Sequence, residues 1–404
     1  MPDRDAILAA VREEELVKWT MELVRIPSHP GVPEQETGVA RYIKSVFDAE
    51  GIECALTEVA DGRCNVTARL PGTGAGKTLL LCGHIDTVEP YDMERATDPF
   101  IESGNIHGRG TSDMKGPVAC MMAALIGLKR RGVQLPGDLV FAGVIDEESA
   151  SLGTIDLIER GIKADGAIVG EPSALQLCVA HRGLEWLEFH FIGKTVHGGR
   201  QREGINAIQK AVDFINLMNE TLVPKVYARK HPLLVEATIN AGVIQGGTQL
   251  STVAGDCTLL VDRRFLPSEN YDDAMQEFRD LLAELERRDP QFKCEMKVMD
   301  VSVMKPGYIH APMEIDQGDP LVLAMAGAVE AATGGPAVKT LFPAWTDGGL
   351  LSHYAGIPCL VIGPGEIEAC HSKAECIAID QLNKGYLAYT LLAEEFCSQP
   401  KPQP

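Results

Sequence analysis

The chain is 404 residues long, too long for one ordinary core and comfortable for two domains, and its 45% hydrophobic content excludes a mainly disordered polymer. With 37 basic against 57 acidic side chains the formal net charge is −20, which repels nucleic acid and anionic membrane and leaves small molecules as the expected partners. Eleven cysteines form an odd count without repeated CxxC spacing, and Cys82, Cys120 and Cys359 sit inside apolar runs, so reduced core thiols are expected rather than a secreted disulfide framework.

In chain order, two helical patterns come first, over about 5–25 and 35–50, the second ending at Gly51. The N-terminal stretch is charged and helix-periodic rather than basic then apolar, and no apolar run approaches the roughly 20 residues that span a bilayer. A cytoplasmic location is expected.

Continuous apolar runs then alternate with helical patterns. TLLLCGHI, DLVFAGVI, ADGAIVG and IPCLVIG suit parallel strands covered on both faces. MKGPVACMMAALIGLKRRG and LGTIDLIERG between them read as helices with glycine stops. From about His181 to Asp300 the order becomes β-α-β-β-α-β, the signature of a ferredoxin-like sandwich, and the α/β texture resumes near Asp319. The expectation is an α/β catalytic domain with a mixed, mostly parallel sheet flanked by helices, in residues 1–180 and 301–404, with a ferredoxin-like unit inserted at 181–300.

Ligands of open α/β sheets collect at the carboxyl ends of the strands. In LLLCGHIDTV, His84 and Asp86 lie one residue apart, so the period of two projects them the same way from such an end. Asp113 sits in GRGTSDMKG; Asp146, Glu147 and Glu148 follow LVFAGVI; Glu171 follows AIVG; and His371 follows IPCLVIGPG by a short loop. Carboxylates gathered on one rim raise one another's pKa unless a cation neutralises them, so a metal is expected. Imidazole and carboxylate ligands without thiolate suit zinc, manganese or cobalt, and the ligands are too many for one four-coordinate zinc. Two divalent ions bridged by a carboxylate would use them all.

GHIDTV, GRGTSDMKG, DEES, GEPS and CHSKAE, in that order around the inserted unit, resemble the acetylornithine deacetylase, succinyl-diaminopimelate desuccinylase and carboxypeptidase G family over nearly the whole chain. The resemblance implies that His84 and Glu171 hold one metal, Glu148 and His371 the other, and that Asp113 bridges them. It implies that Asp86 orients His84 from behind, that Glu147 is the general base, and that the Asp113–Met114 peptide is cis.

Within the inserted unit, His197 in KTVHGGR resembles a lid histidine that stabilises the oxyanion, and Arg264 in LLVDRRFLP resembles a clamp for a substrate carboxylate. Ser251 stands at a substrate-contacting position where the family often has asparagine, and Ala254 where it often has proline. Homodimerisation through the inserted unit is also what the resemblance implies.

Each residue has a plainer reading. A lone histidine is a satisfied polar group, Glu147 and Glu148 a solvated loop, His197 a turn residue, and Arg263 or Arg264 a partner of Asp262 on the sheet. Cys370 reads as packing, and Gly108, Gly110 and Gly116 as shaping the loop around Asp113, since their spacing fits no phosphate loop. The ordered set of motifs favours a metal-dependent amide hydrolase, with zinc first and cobalt or manganese as alternatives. Its expected reaction removes an acyl group such as acetyl or succinyl from an N-acyl amino acid or related amine. The alternatives are a metallo-carboxypeptidase or dipeptidase, a hydrolase or deaminase of an unusual amide or aromatic amine, and a non-catalytic metal-binding protein on the same scaffold.

Overall fold

The apolar runs that read as buried strands form the centre of a nine-stranded sheet in the computed structural model, which describes residues 3–401. Leu79–His84 lies parallel between Leu139–Val144 and Gly166–Val169, and Cys359–Val361 continues the parallel set beyond Gly166–Val169. Antiparallel strands Glu53–Ala60 and Arg63–Leu70 extend one side. On the other lie Leu177–His181 and the short strands Met313–Glu314 and Lys339–Leu341. The sheet is mixed, with its parallel strands at the centre.

Leu79 to His84 are buried throughout, because helices cover both faces. Leu80 and Cys82 join a core with Leu157 of the helix Leu152–Glu159 and Leu351 of the helix Gly348–Ala355. Gly83 faces the opposite way, where a Cβ would come within 2.7 Å of Met114 and 2.9 Å of Val118, so only glycine lets the Gly116–Arg130 helix approach this closely. That helix packs against Ile379–Phe396, which also packs on Pro320–Thr333. Each fully buried leucine of the central strand contributes about 1.5–3 kcal/mol.

Among the described residues, 3–180 with 313–401 form one compact unit and 181–312 a second. In the second, strands run in the order Thr238–Gly246, Asp256–Phe265, Gly183–Ile192, Cys294–Val298, every neighbouring pair antiparallel. With helices Ala207–Leu217 and Tyr271–Arg288 this is the β-α-β-β-α-β arrangement, cored by Phe189, Phe191, Phe214 and Phe278.

Two sequence expectations shift. The single helix over 5–25 is two, Arg4–Ala10 and Glu13–Arg25, broken where Val11 and Arg12 take extended backbone. The second helix starts afresh because Glu15 accepts from the Arg12 N–H at 3.2 Å and three glutamates occupy its first turn. The second compact unit also runs to Pro312 rather than ending at 300. Its tail folds back on Gly183–Ile192: Met299 N–H donates to the Trp186 carbonyl at 2.8 Å, Ser302 Oγ to Glu185 Oε1 at 2.8 Å, and Leu184 N–H to the His310 carbonyl at 3.2 Å.

Candidate metal centre

Parallel pairing places His84 opposite Val144 and Cys82 opposite Val169, so the segments carrying His84, Glu147 with Glu148, and Glu171 leave the sheet at one rim. Glu147 and Glu148 ride a tight turn: the N–H groups of Ser149, Ala150 and Ser151 all donate to the Asp146 carbonyl. Asp146 itself has φ 72° and is held through Arg63, whose Nη2 lies 2.6 Å from Asp146 Oδ1 and 2.5 Å from Glu36 Oε1.

Asp113 arrives on the loop before the Gly116–Arg130 helix. Gly110, at φ 86°, makes the left-handed turn that aims it, and the Asp113–Met114 peptide is cis.

Ligand atoms of His84, Glu147 and Glu171 lie within 4.8 Å of one another, and so do those of His84, Asp113 and Glu148. His84 Nε2 is 3.0 Å from Asp113 Oδ1 and 3.9 Å from Glu171 Oε2. His371 Nε2 is 3.2 Å from Asp113 Oδ2 and 3.1 Å from Glu148 Oε1. Asp113 therefore stands between the two imidazoles. Behind His84, Nδ1 meets the Asp86 main-chain carbonyl at 3.2 Å and its carboxylate at 3.4 Å, while Asp86 Oδ2 accepts from the Glu148 N–H at 3.0 Å.

Burial drives the Glu171 carboxyl well above its usual range, with the charges of Asp113 and Glu148 adding to the effect. Burial likewise raises Glu147, reinforced by Glu171, and Glu148, reinforced by Asp113. Burial alone would lift Asp113 too, but its contacts with His371 and His84 hold it well below the carboxylate range. His84 is pushed down by burial, yet Asp113 and Asp86 outweigh this and hold it well above the usual imidazole value. Contacts with Asp113 and Glu148 lift His371 to about 10.

Four carboxylates and two imidazoles at this spacing share protons when no cation is among them, and a divalent ion relieves the repulsion. Glu171 Oε1 is buried with no hydrogen-bond partner, an expensive condition that a cation or its hydration would offset. The donor set of imidazole nitrogens and carboxylate oxygens fits zinc, cobalt or manganese.

The remaining candidates lie in the second unit. His197 is exposed, and its Nδ1 accepts the Gly199 N–H at 3.1 Å. Ser251 is also exposed and lies beside this turn, its carbonyl accepting from Gly198 N–H at 2.7 Å, while His197 bridges to Thr252. Arg264 Nε donates to both oxygens of Asp262, at 2.8 and 3.1 Å, and the neighbouring Arg263 is buried against Glu269. Ala254 is buried, and in the first unit Cys370 donates weakly to the Glu366 carbonyl at 3.4 Å.

Several buried polar residues around the cluster escape sequence reasoning. Glu375, at 0% exposure, accepts three main-chain N–H groups of the Asp113 loop and pairs with Arg109. Lys115 donates to the Ile26 carbonyl at 2.7 Å, and burial pushes its pKa down to about 7. Asp347 accepts from Thr154 at 2.7 Å, and burial lifts it to about 6. Their partners are distant in sequence and follow no period; Arg109 and Lys115 in GRGTSDMKG and Glu375 in CHSKAE lie inside motifs that gave them no role.

The profile of peptidase family M20/M25/M40 matches residues 80–395. N-formyl-4-amino-5-aminomethyl-2-methylpyrimidine deformylase of Bacillus subtilis is 31% identical over 97% of this chain and 96% of its own. Acetylornithine deacetylase of Proteus mirabilis is 30% identical over 84% of each. The crystal structure of Bacillus subtilis YxeP, a dinuclear metal binding peptidase of the M20 family, superposes with a TM-score of 0.69 at 17% identity, covering 95% of this chain and 97% of that one.

Proposed function

The chain belongs to peptidase family M20/M25/M40 and is a hydrolase of amide bonds, and from that premise we propose that it is a dinuclear deacylase releasing a small acyl group from a primary amine. The observation that carries this reading is the cluster of His84, Asp113, Glu147, Glu148, Glu171 and His371 on one sheet rim. His84 and Glu171 would hold one divalent ion, Glu148 and His371 a second, with Asp113 shared and zinc the first choice of metal. Such ions, when bound, polarise an amide carbonyl and lower the pKa of water from 15.7 towards roughly 7.

The side chains divide the remaining work. Glu147, raised by burial and by Glu171, is suited to take a proton from the attacking water and return it to the departing amine. Asp86 holds His84 in the tautomer that leaves Nε2 free to ligate. His197 supplies a donor to the oxyanion, and Ser251 and Arg264 contact substrate. Because Asp262 already holds Arg264, carboxylate binding is the least supported of these roles.

The favoured acyl group is formyl and the favoured amine an aminomethyl group on a heteroaromatic ring, because the 31%-identical deformylase matches nearly end to end, while Ser251 and Ala254 depart from the family's frequent asparagine and proline. Acetyl or succinyl removal from an N-acyl amino acid is the second reading. We place the protein in the cytoplasm because all eleven cysteines are free, and no described helix is long and apolar enough to cross a membrane. Homodimerisation is favoured through the edge strand Thr238–Gly246, which is exposed from Asn240 to Gly246 and presents Val243 and Ile244 to solvent.

The test is free-amine release from N-formyl aminomethylpyrimidine, N-acetyl and N-succinyl amino acids and dipeptides, with zinc, cobalt or manganese added to chelator-stripped protein. Metal-dependent release from the formyl amine ahead of the others is expected. Preference for dipeptides would replace the deacylase with a peptidase.

A further inference from the structure

We propose that the buried pair Arg109–Glu375 is a positioning clasp for the second metal position, setting His371 against Asp113. The inference rests on the reading of Asp113, Glu148 and His371 as ligands, but the pair itself touches none of the ligand atoms in that reading. Glu375 Oε1 accepts the N–H groups of Gly110 at 2.9 Å, Ser112 at 3.1 Å and Asp113 at 3.1 Å, so one oxygen fixes the main chain that presents the Asp113 carboxylate.

Glu375 Oε2 meets Arg109 Nη1 at 2.5 Å. The same guanidinium donates to the carbonyls of Ser372 at 3.3 Å, Glu89 at 3.3 Å and Pro90 at 3.5 Å. Three segments meet here: 84–90, which begins with His84; 108–113, which ends with Asp113; and 371–375, which begins with His371.

His371 needs such support. It lies on a loop with φ 58° and is 49% exposed, so no strand or helix holds its imidazole. Ser372, its neighbour, is tied to Arg109, and Glu375 anchors the loop's far end. Both members of the pair are nearly water-free, with side chains 3% and 0% exposed, so the fork geometry of Arg109 is well defined. His84 and Glu171, in contrast, are positioned by strand ends.

The test is cobalt(II) titration of chelator-stripped protein, read by visible absorption and by equilibrium dialysis, for wild type and Glu375→Gln. The amide turns a donor towards Arg109, so the clasp opens while the side-chain volume stays. Expected is a second equivalent bound about 10–100-fold more weakly, the usual cost of losing a partner behind a ligand, with an altered absorption spectrum. The first equivalent should weaken much less, because Asp113 is shared while His84 and Glu171 stay fixed at their strand ends. Two equivalents bound as in wild type, or both weakened alike, would overturn the proposal. Should Glu375→Gln fail to fold, Arg109→Lys keeps the charge but not the fork and is read in the same way. Failure of both to fold would make the pair a folding element and also overturn it. If wild type itself takes up no second equivalent, the ligand reading has failed rather than the clasp.

Discussion

His84 and Glu171 stand at strand ends with 1% and 6% of their side chains exposed, whereas His371, on the far side of Asp113, stands on a loop with 49% exposed. On the first side, parallel pairing and helix packing fix these side chains before any ion is considered. On the second, a left-handed loop conformation is held by contacts from distant segments. One cluster thus has a half made by the fold and a half made by a loop, and affinity and exchange should differ between them.

The largest expected effect removes chemistry without touching either half. Glu147→Ala should lower kcat about 10²–10⁴-fold while metal content stays near wild type, checked by amine release and elemental analysis. Metal lost together with activity would make Glu147 a ligand, as its proximity to His84 and Glu171 allows, and metal lost with activity retained would end its role as base. His197→Ala should lower kcat about 10²–10³-fold with both ions kept, as removal of an oxyanion donor does. An unchanged rate would leave His197 as a turn residue.

The contrast between the halves is tested directly by comparing His84→Ala with His371→Ala. His84 would share one ion with Glu171 and His371 the other with Glu148, so loss of His84 should weaken the tighter equivalent and loss of His371 only the more readily released one. Dialysis against graded zinc measures this, and equal losses would erase the distinction.

A smaller effect concerns pH. In metal-free protein Glu147, Glu148 and Glu171 are raised, Asp347 to about 6, Glu375 to about 7 and His371 to about 10. Groups raised on folding bind more protons folded than unfolded over that window, so their contribution is present at low pH and lost as pH rises. Asp113 is lowered and acts in the opposite sense only at acid pH, and Lys115, lowered to about 7, opposes the trend above that pH as one group against several. The Tm of stripped protein should therefore fall between pH 6 and pH 9 by several degrees, at roughly 2–4 °C per kcal/mol, and zinc should flatten the slope. The smallest effect is at Arg264, whose pairing with Asp262 predicts at most a few-fold change in KM for Arg264→Lys with an uncharged formyl amine.

Much of this was legible in the sequence because strand and helix periods are local. TLLLCGHI and DLVFAGVI announce buried parallel strands, and the residues after them mark the rim, so His84, Glu147, Glu148 and Glu171 could be gathered from the pattern alone. Asp113 and His371 were gathered from loops beside a predicted helix and strand, and only the division of the six among two metals and a base came from motif resemblance, since loops carry no period. Arg109, Glu375, Lys115 and Asp347 were not legible: each acts through a partner brought close only by the fold, as Glu375 meets Gly110 across 265 positions. The break at Val11–Arg12 was hidden for another reason, because the periodic apolar face continues across it while the backbone turns extended.

The central claim, that this rim holds two divalent ions, is tested most directly by counting zinc in chelator-stripped protein reloaded by dialysis. Two equivalents per chain, the second released first on dilution, is the predicted result. A single equivalent, or none, would contradict it.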